Sequence, residues 1–196
     1  MTKVSIAELV AGVRTGKAIC FPTDTVPALA TLPENAGLIF TLKQRDVNKP
    51  LILMGADAEH LWNFVEGSQK EYEIWQRVAD KYWGGALTLV LPASKKVPKA
   101  MNPNDPTTIG IRVPQNDIAR SILAQTGPLA TTSANLSGQP PLETMDEIDL
   151  EFPDVLTLAT TAYDSKIPAM GIPSTVAKWN GGKWQILREG AVNLDI

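Results

Sequence analysis

The chain has 196 residues, a net charge of −3, 44% hydrophobic residues and 20% charged residues. That length and balance suit a single globular domain with a sizeable core and leave two domains cramped. The acidic balance gives no support to a general nucleic-acid binder, and one histidine with one cysteine excludes a structural zinc site and an internal disulfide.

Ser5 and Glu8 have the spacing of a capping box, and Ile6, Leu9, Val10 and Val13 then share one helical face, with Gly16 as the stop. The N-terminus therefore enters a helix at once and lacks a signal-peptide profile. Ala18 to Phe21 is expected to be a short buried strand. Its Cys20 reads as a small hydrophobe rather than a nucleophile, and a lone cysteine points to a reducing, cytosolic compartment. Asn35 to Leu42 reads as a helix, Pro50 to Met54 as a strand, and Ala56 to Glu66 and Ser68 to Tyr82 as two helices joined near Gly67. Gly84-Gly85 breaks the pattern before a buried strand over Leu87 to Leu91. Pro92 to Pro106, with four prolines, reads as a long loop of the kind that often carries function.

Thr108 to Val113 is then a strand, Asn116 to Gln125 a helix, Leu129 to Thr131 a strand and Ser137 to Pro141 a turn. Val155 to Leu158, Ser174 to Lys178 and Lys183 to Leu187 are the last strands, with a hairpin at Asn180-Gly181-Gly182. Early alternation of strands and helices with a closing hairpin predicts an α/β domain on a twisted, mixed parallel and antiparallel sheet with flanking helices. The strand order is not legible. No apolar run reaches about 18 residues, so no membrane-spanning helix is expected.

Several polar motifs sit at strand exits, where open α/β sheets bind ligands. Thr23, Asp24 and Thr25 fit either local turn chemistry or a polar ligand. Lys43, Arg45 and Lys49 fit either helix C-terminal charge pairing or a polyphosphate clamp. Arg112 lies in the apolar run Ile109-Gly110-Ile111-Arg112-Val113, where an arginine needs a partner or a cleft, and its fork suits a carboxylate. Thr131 to Gly138 reads either as a turn tied by its own side chains or as a place where backbone meets a ligand. Ser133 lacks a triad, because the sole histidine, His60, falls inside a helix. The five tryptophans are read as packing residues rather than base-stacking platforms.

Taken in order, these motifs resemble the YrdC/Sua5 family, the threonylcarbamoyl-AMP synthases, over roughly Ser5 to Val192. The most specific segments are Phe21 to Val26, Leu42 to Arg45 with Lys49 to Leu51, Trp83 to Val90, Gly110 to Pro114 and Thr132 to Gly138. The resemblance is to the short, single-domain form. It implies a cytoplasmic nucleotidyltransferase that uses L-threonine, bicarbonate or CO₂, and ATP with Mg²⁺. The products would be threonylcarbamoyl-adenylate and pyrophosphate, and a transferase system would then modify adenosine 37 of tRNA. Positioning and electrostatics would carry the chemistry, with no covalent nucleophile.

By resemblance, Lys43 and Arg45 would be catalytic. The ATP-binding set would be Lys43, Arg45, Lys49, Thr108, Ser133, Asn135 and Arg188. The threonine-binding set would be Thr25, Arg112, Thr131 and Ser174, and no residue would hold a resident metal. The chain departs from the family pattern at Pro27-Ala28-Leu29 in place of Tyr-Gly-Leu. Met54 and Asn116 stand where histidines are common, and Lys178 where an aspartate often follows. The cationic set is intact, and the departures fall mainly on the acceptor side. Two other expectations follow: an RNA-binding or ribosome-associated module on the same fold, with weak tRNA contact, or a paralogue that adenylates a different carbamate.

Overall fold

The computed structural model describes residues 2–159 and 170–195. Among these residues ten strands form one sheet: β1 (Lys3–Val4), β2 (Ile19–Phe21), β3 (Ala28–Thr31), β4 (Ile52–Met54), β5 (Leu87–Pro92), β6 (Thr108–Arg112), β7 (Leu129–Ser133), β8 (Leu156–Leu158), β9 (Thr175–Trp179) and β10 (Trp184–Arg188). Their spatial order is β1-β8-β2-β3-β7-β4-β6-β5-β9-β10, with both parallel and antiparallel neighbours. The mixed α/β sheet expected from the sequence is present.

Among the described residues six α-helices flank it: α1 (Ile6–Arg14), α2 (Ala36–Leu42), α3 (Ala58–Trp62), α4 (Gln69–Tyr82), α5 (Asp117–Thr126) and α6 (Met145–Glu151). Capping boxes start α1 at Ser5 and Glu8, α4 at Ser68 and Glu71, and α6 at Thr144 and Glu147. Four features differ from the sequence reading. Lys3–Val4 forms β1 against β8, where the N-terminus was expected to enter a helix at once. The helix expected over Ala56 to Glu66 is only α3, because Val65 pairs with Ala93 in a β-bridge instead. Strand β3, Ala28-Leu29-Ala30-Thr31, has weak intrinsic strand preference but is buried between β2 and β7. Helix α6 was not anticipated, although Thr144 and Glu147 carry its capping spacing.

The register assigns residues to faces. Across β7, β4, β6, β5 and β9, Ala130, Leu53, Ile111, Leu89 and Ala177 are successive partners on one face. They join one core cluster with Trp75, Val78 and Ala79 of α4. Each fully buried aliphatic side chain there contributes about 1.5–3 kcal/mol. The alternate residues, Thr131, Ile52, Gly110, Val90 and Lys178, are also successive partners and occupy the other face. Helices α1 and α5 cover the part of that face around Ala30, Met54 and Leu129. Farther along β4, β7 and β6, the same face lines a cleft. No helix among the described residues is long and apolar enough to cross a membrane.

The segment after β10 folds back on the residues before β9. Gly190 N–H donates to Thr175 Oγ1 at 3.1 Å, and Ala191 N–H to Pro173 O at 3.0 Å. A methyl on Gly190 would sit 2.5 Å from the Ser174 carbonyl carbon and the Thr175 nitrogen. Backbone must move to relieve that clash, so Gly190→Ala is expected to cost about 1–3 kcal/mol. A thermal melt should show a midpoint lowered by roughly 2–10 °C, and an unchanged midpoint would contradict this packing.

Candidate active site

Two joined cavities lie on the cleft face. The inner one, of about 140 Å³, is lined by hydroxyls from Thr23, Thr25, Thr131, Thr132, Ser133 and Ser174. Its apolar wall is Val26, Pro27, Ala28, Ile52, Met54 and Pro173, and Arg112 borders it. The outer one, of about 380 Å³, is lined by Thr108, Asn102, Asn104, Asp105 and Asn48 on its polar side. Leu187, Val90 and Val176 form its apolar side, and Lys178 also reaches it. Arg45, Pro50, Ile52 and Arg188 line both cavities and mark their junction.

Strand parity explains the convergence, since Thr131 and Ser133 alternate on β7, Ile52 and Met54 on β4, and Arg112 pairs with Met54 across β6. Thr131 Oγ1 donates to Ile52 O at 3.0 Å, and Ser174 Oγ lies 2.9 Å from Thr88 Oγ1. Thr23 Oγ1 donates to Val26 O at 2.7 Å and accepts from Thr25 N–H at 3.1 Å, which curls the strand exit into the cavity wall. The four residues expected around an amino acid, Thr25, Arg112, Thr131 and Ser174, thus border one cavity.

The cations divide. Arg45 is held by two carbonyls, Nε to Lys49 O at 2.9 Å and Nη2 to Pro50 O at 3.1 Å. Arg188 donates to Ser174 O from Nε at 3.1 Å and from Nη2 at 2.7 Å. Neither has a carboxylate partner among the described residues. Burial lowers both pKa values, and the Arg188 charge lowers that of Arg45 further, so the two guanidiniums sense one another. Two neighbouring arginines without a counter-ion attract an anion. Arg112 is different: its Nη2 donates to both oxygens of Asp24, at 2.8 and 2.9 Å, in a pair almost closed to solvent. Burial lowers the Arg112 pKa while Asp24 opposes that shift.

Lys43, Lys49 and Asn135 do not line either cavity. Lys49 is exposed and contributes its carbonyl to Arg45. Lys43 is fully buried, and its Nζ donates to Ser133 O and, at 3.3 Å, to Asn135 Oδ1. Asn135 Oδ1 also accepts from Ser133 Oγ at 2.5 Å, while its Nδ2 donates to Leu136 O and Gln139 O. Lys43 and Asn135 therefore fasten the turn after β7 from beneath and fix Ser133 at the cavity rim. Thr108 lines the outer cavity, Arg188 lines both, and Ser133 lines the inner one.

The sequence reading missed Asp24 as the partner of Arg112, and Lys178, Asn102, Asn104 and Asp105 as outer lining. An arginine in an apolar strand signals a partner or a cleft, but 88 residues separate Arg112 from Asp24. Asn102 to Asp105 lie in the long loop that the sequence flagged. Cys20 is fully buried with its thiol pKa raised by burial, in keeping with a packing role. His60 is an exposed α3 residue beside Asp57. Trp179 and Trp184 pack edge to face, beside Trp75.

Burial, with the nearby Arg45 charge, lowers the Lys43 pKa from 10.5 to about 7. The unfolded chain binds more protons between those values, so this group makes stability rise with pH across that window. Denaturant melts of the wild type and Lys43→Met should therefore differ by an amount that shifts in favour of the wild type from about pH 7 to about pH 10. A pH-independent difference would mean that the ammonium is fully paired.

A family model, Sua5_yciO_yrdC, described as "Telomere recombination", matches residues 12–190. The threonylcarbamoyl-AMP synthase of Pyrococcus abyssi (strain GE5 / Orsay) is 32% identical over 187 residues, which is 93% of this chain and 53% of that protein. The chain thus spans about half the length of that relative. The threonylcarbamoyl-AMP synthase of Vibrio campbellii (strain ATCC BAA-1116) is 34% identical over 153 residues, 76% of this chain and 82% of that protein. A solved structure of P. abyssi Sua5 complexed with L-threonine superposes with a TM-score of 0.81 at 28% identity, covering 94% of this chain and 54% of that one. With the motifs falling inside the matched span and the fold shared along nearly the whole chain, this protein belongs to the Sua5/YciO/YrdC family.

Proposed function

We propose that the cleft makes L-threonylcarbamoyl-adenylate from L-threonine, bicarbonate or CO₂, and ATP, with release of pyrophosphate. The observation that carries this reading is the junction itself. Arg45 and Arg188, without carboxylate partners among the described residues, stand where a small hydroxyl-lined cavity opens into a nucleoside-sized one. The names of the matched synthases and the L-threonine complex of P. abyssi Sua5 support it.

In this reading the outer cavity takes the nucleoside beside Thr108, and Arg45 and Arg188 hold the phosphates. The inner cavity takes threonine among Thr25, Arg112, Thr131 and Ser174, with Ser133 at the rim. Lys43 and Asn135 act by holding the Ser133 turn, and Lys49 by placing a carbonyl on Arg45. The threonine amine adds to CO₂ and loses a proton, giving a carbamate. A carbamate oxygen then forms a bond to the α-phosphorus of ATP, while the bond from that phosphorus to the bridging oxygen breaks and pyrophosphate leaves with the electron pair. Arginines aimed at the phosphates stabilise charge that grows in that step, and confinement supplies orientation.

Mg²⁺ would enter with ATP. Among the described residues no cluster of His, Cys, Asp and Glu could hold a metal, Asp24 is committed to Arg112, and Asp105 is the acidic residue lining the outer cavity. Mg²⁺ at such sites is commonly held by substrate phosphates and water. The product would pass to a transferase system that modifies tRNA.

Pyrophosphate release should require threonine and bicarbonate together. Arg45→Ala and Arg188→Ala should each lower kcat/KM about 10²-fold with the fold retained, whereas near-normal turnover in both would remove the phosphate assignment. A second reading concerns the acceptor, because two departures from the family pattern, Pro27 and Met54, both line the inner cavity. Ranking turnover across amino acids decides it: a preference for threonine over serine and valine keeps the first reading, and any other order selects a different carbamate.

A further inference from the structure

Three arginines border one cleft, yet among the described residues only Arg112 has a carboxylate partner. Its donors can be followed one by one. Nε donates to Gly85 O at 3.2 Å, Nη1 to Thr25 Oγ1 at 2.9 Å, and Nη2 to Asp24 Oδ1 and Oδ2 at 2.8 and 2.9 Å. Nη1 bonds only to Thr25, so one of its two N–H groups lacks a protein acceptor among the described residues.

Asp24 is fastened in turn. Gln115 N–H donates to its Oδ1 at 3.2 Å, and Met170 N–H donates to its backbone carbonyl at 3.2 Å. Gly171 N–H donates to Thr25 O at 3.0 Å, so the segment that bears Pro173 and Ser174 hangs from the same place. The two side chains are 5% and 8% exposed. In such surroundings an unpaired guanidinium would be a strong, fork-shaped anion site. Paired with Asp24 its charge is balanced, and it keeps an Nη1 donor without a protein acceptor among the described residues.

We propose that Asp24 is a positioning residue that makes the inner cavity select a zwitterionic amino acid over a free anion, by neutralising Arg112 and leaving it one N–H for a carboxylate oxygen. The inference rests on the amino-acid reading of that cavity. It also explains how one cleft sorts two kinds of anionic group. The polyphosphate goes to Arg45 and Arg188, which have no carboxylate partner among the described residues, and is not drawn inward to Arg112.

The test is steady-state kinetics of the full chain with sulfate as the probe anion. In the wild type, sulfate should compete with ATP and not with threonine. In Asp24→Asn, sulfate should become competitive with threonine and raise its apparent KM at least about tenfold over the wild type at the same sulfate, while the ATP KM at that sulfate stays within about twofold of the wild-type value, a split that general loosening would not give. Equal shifts in both KM values, or no new competition by sulfate, would overturn the proposal.

If Asp24→Asn does not fold, the neutral pair Asp24→Asn with Arg112→Gln serves instead. Its preference for binding threonine over threoninol should fall by at least about tenfold from the wild-type value, without sulfate competition. A preserved preference would overturn the proposal. A wild type with no threonine-dependent turnover fails the proposed function, whereas an active wild type with a silent Asp24 variant fails this inference alone.

Discussion

Arg112 and Asp24 stand 88 residues apart in the chain and meet in a volume nearly closed to solvent. Removing one partner of such a pair leaves a buried charge uncompensated, at a cost of roughly 3–5 kcal/mol. Much else is attached to this pair. It ties the exit of β2 to the end of β6, to Gly85 ahead of β5 and to the start of the loop before α5. The segment leading to Ser174 is hydrogen-bonded to the same two residues, Asp24 and Thr25. One side of the inner cavity is therefore held by electrostatics, beside an apolar wall that includes Val26, Ile52 and Met54, whereas the opposite face of the sheet is packed around Trp75 and Leu89.

The sheet's pleat then separates stability from chemistry. Leu53, Ile111 and Leu89 lie on the packed face, and Ile52, Gly110 and Val90 on the cleft face, one residue along each strand. A slip of one residue would exchange the two sets, so the apolar core itself fixes which residues face the ligand. The small residues also matter. Gly110, between Ile52 and Val90, leaves the cleft floor open, and Gly190 lets the last segment lie on the backbone of Ser174 and Thr175.

Much of this was legible in the chain. The capping box at Ser5, the helix from Ser68, the apolar runs of β2, β5 and β6, and the Gly181-Gly182 hairpin are local signals, and each element formed as read. Strand β3 was not, because Ala28 to Thr31 become a strand only through ladders with β2 and β7. Helix α3 is shorter than its apolar pattern suggests because Val65 gains more from pairing with Ala93 than from another helical turn. For the site, hydroxyl and cationic residue types at strand exits were visible. Which of them touch a ligand cavity was not: Lys43 looks like Arg45 in the sequence, yet one is sealed beneath the β7 turn and the other stands at the cavity junction.

By itself, then, the sequence determined the elements with local causes, the α/β class, the family and the inventory of polar groups. Periodicity, capping and turn chemistry act over a few residues and leave their mark there. Tertiary structure alone decided the strand order, the partner of Arg112, and the split between the arginines at the junction and the lysine beneath it. Those outcomes depend on contacts between distant segments and on burial, which changes what a charge is worth without changing the residue that carries it.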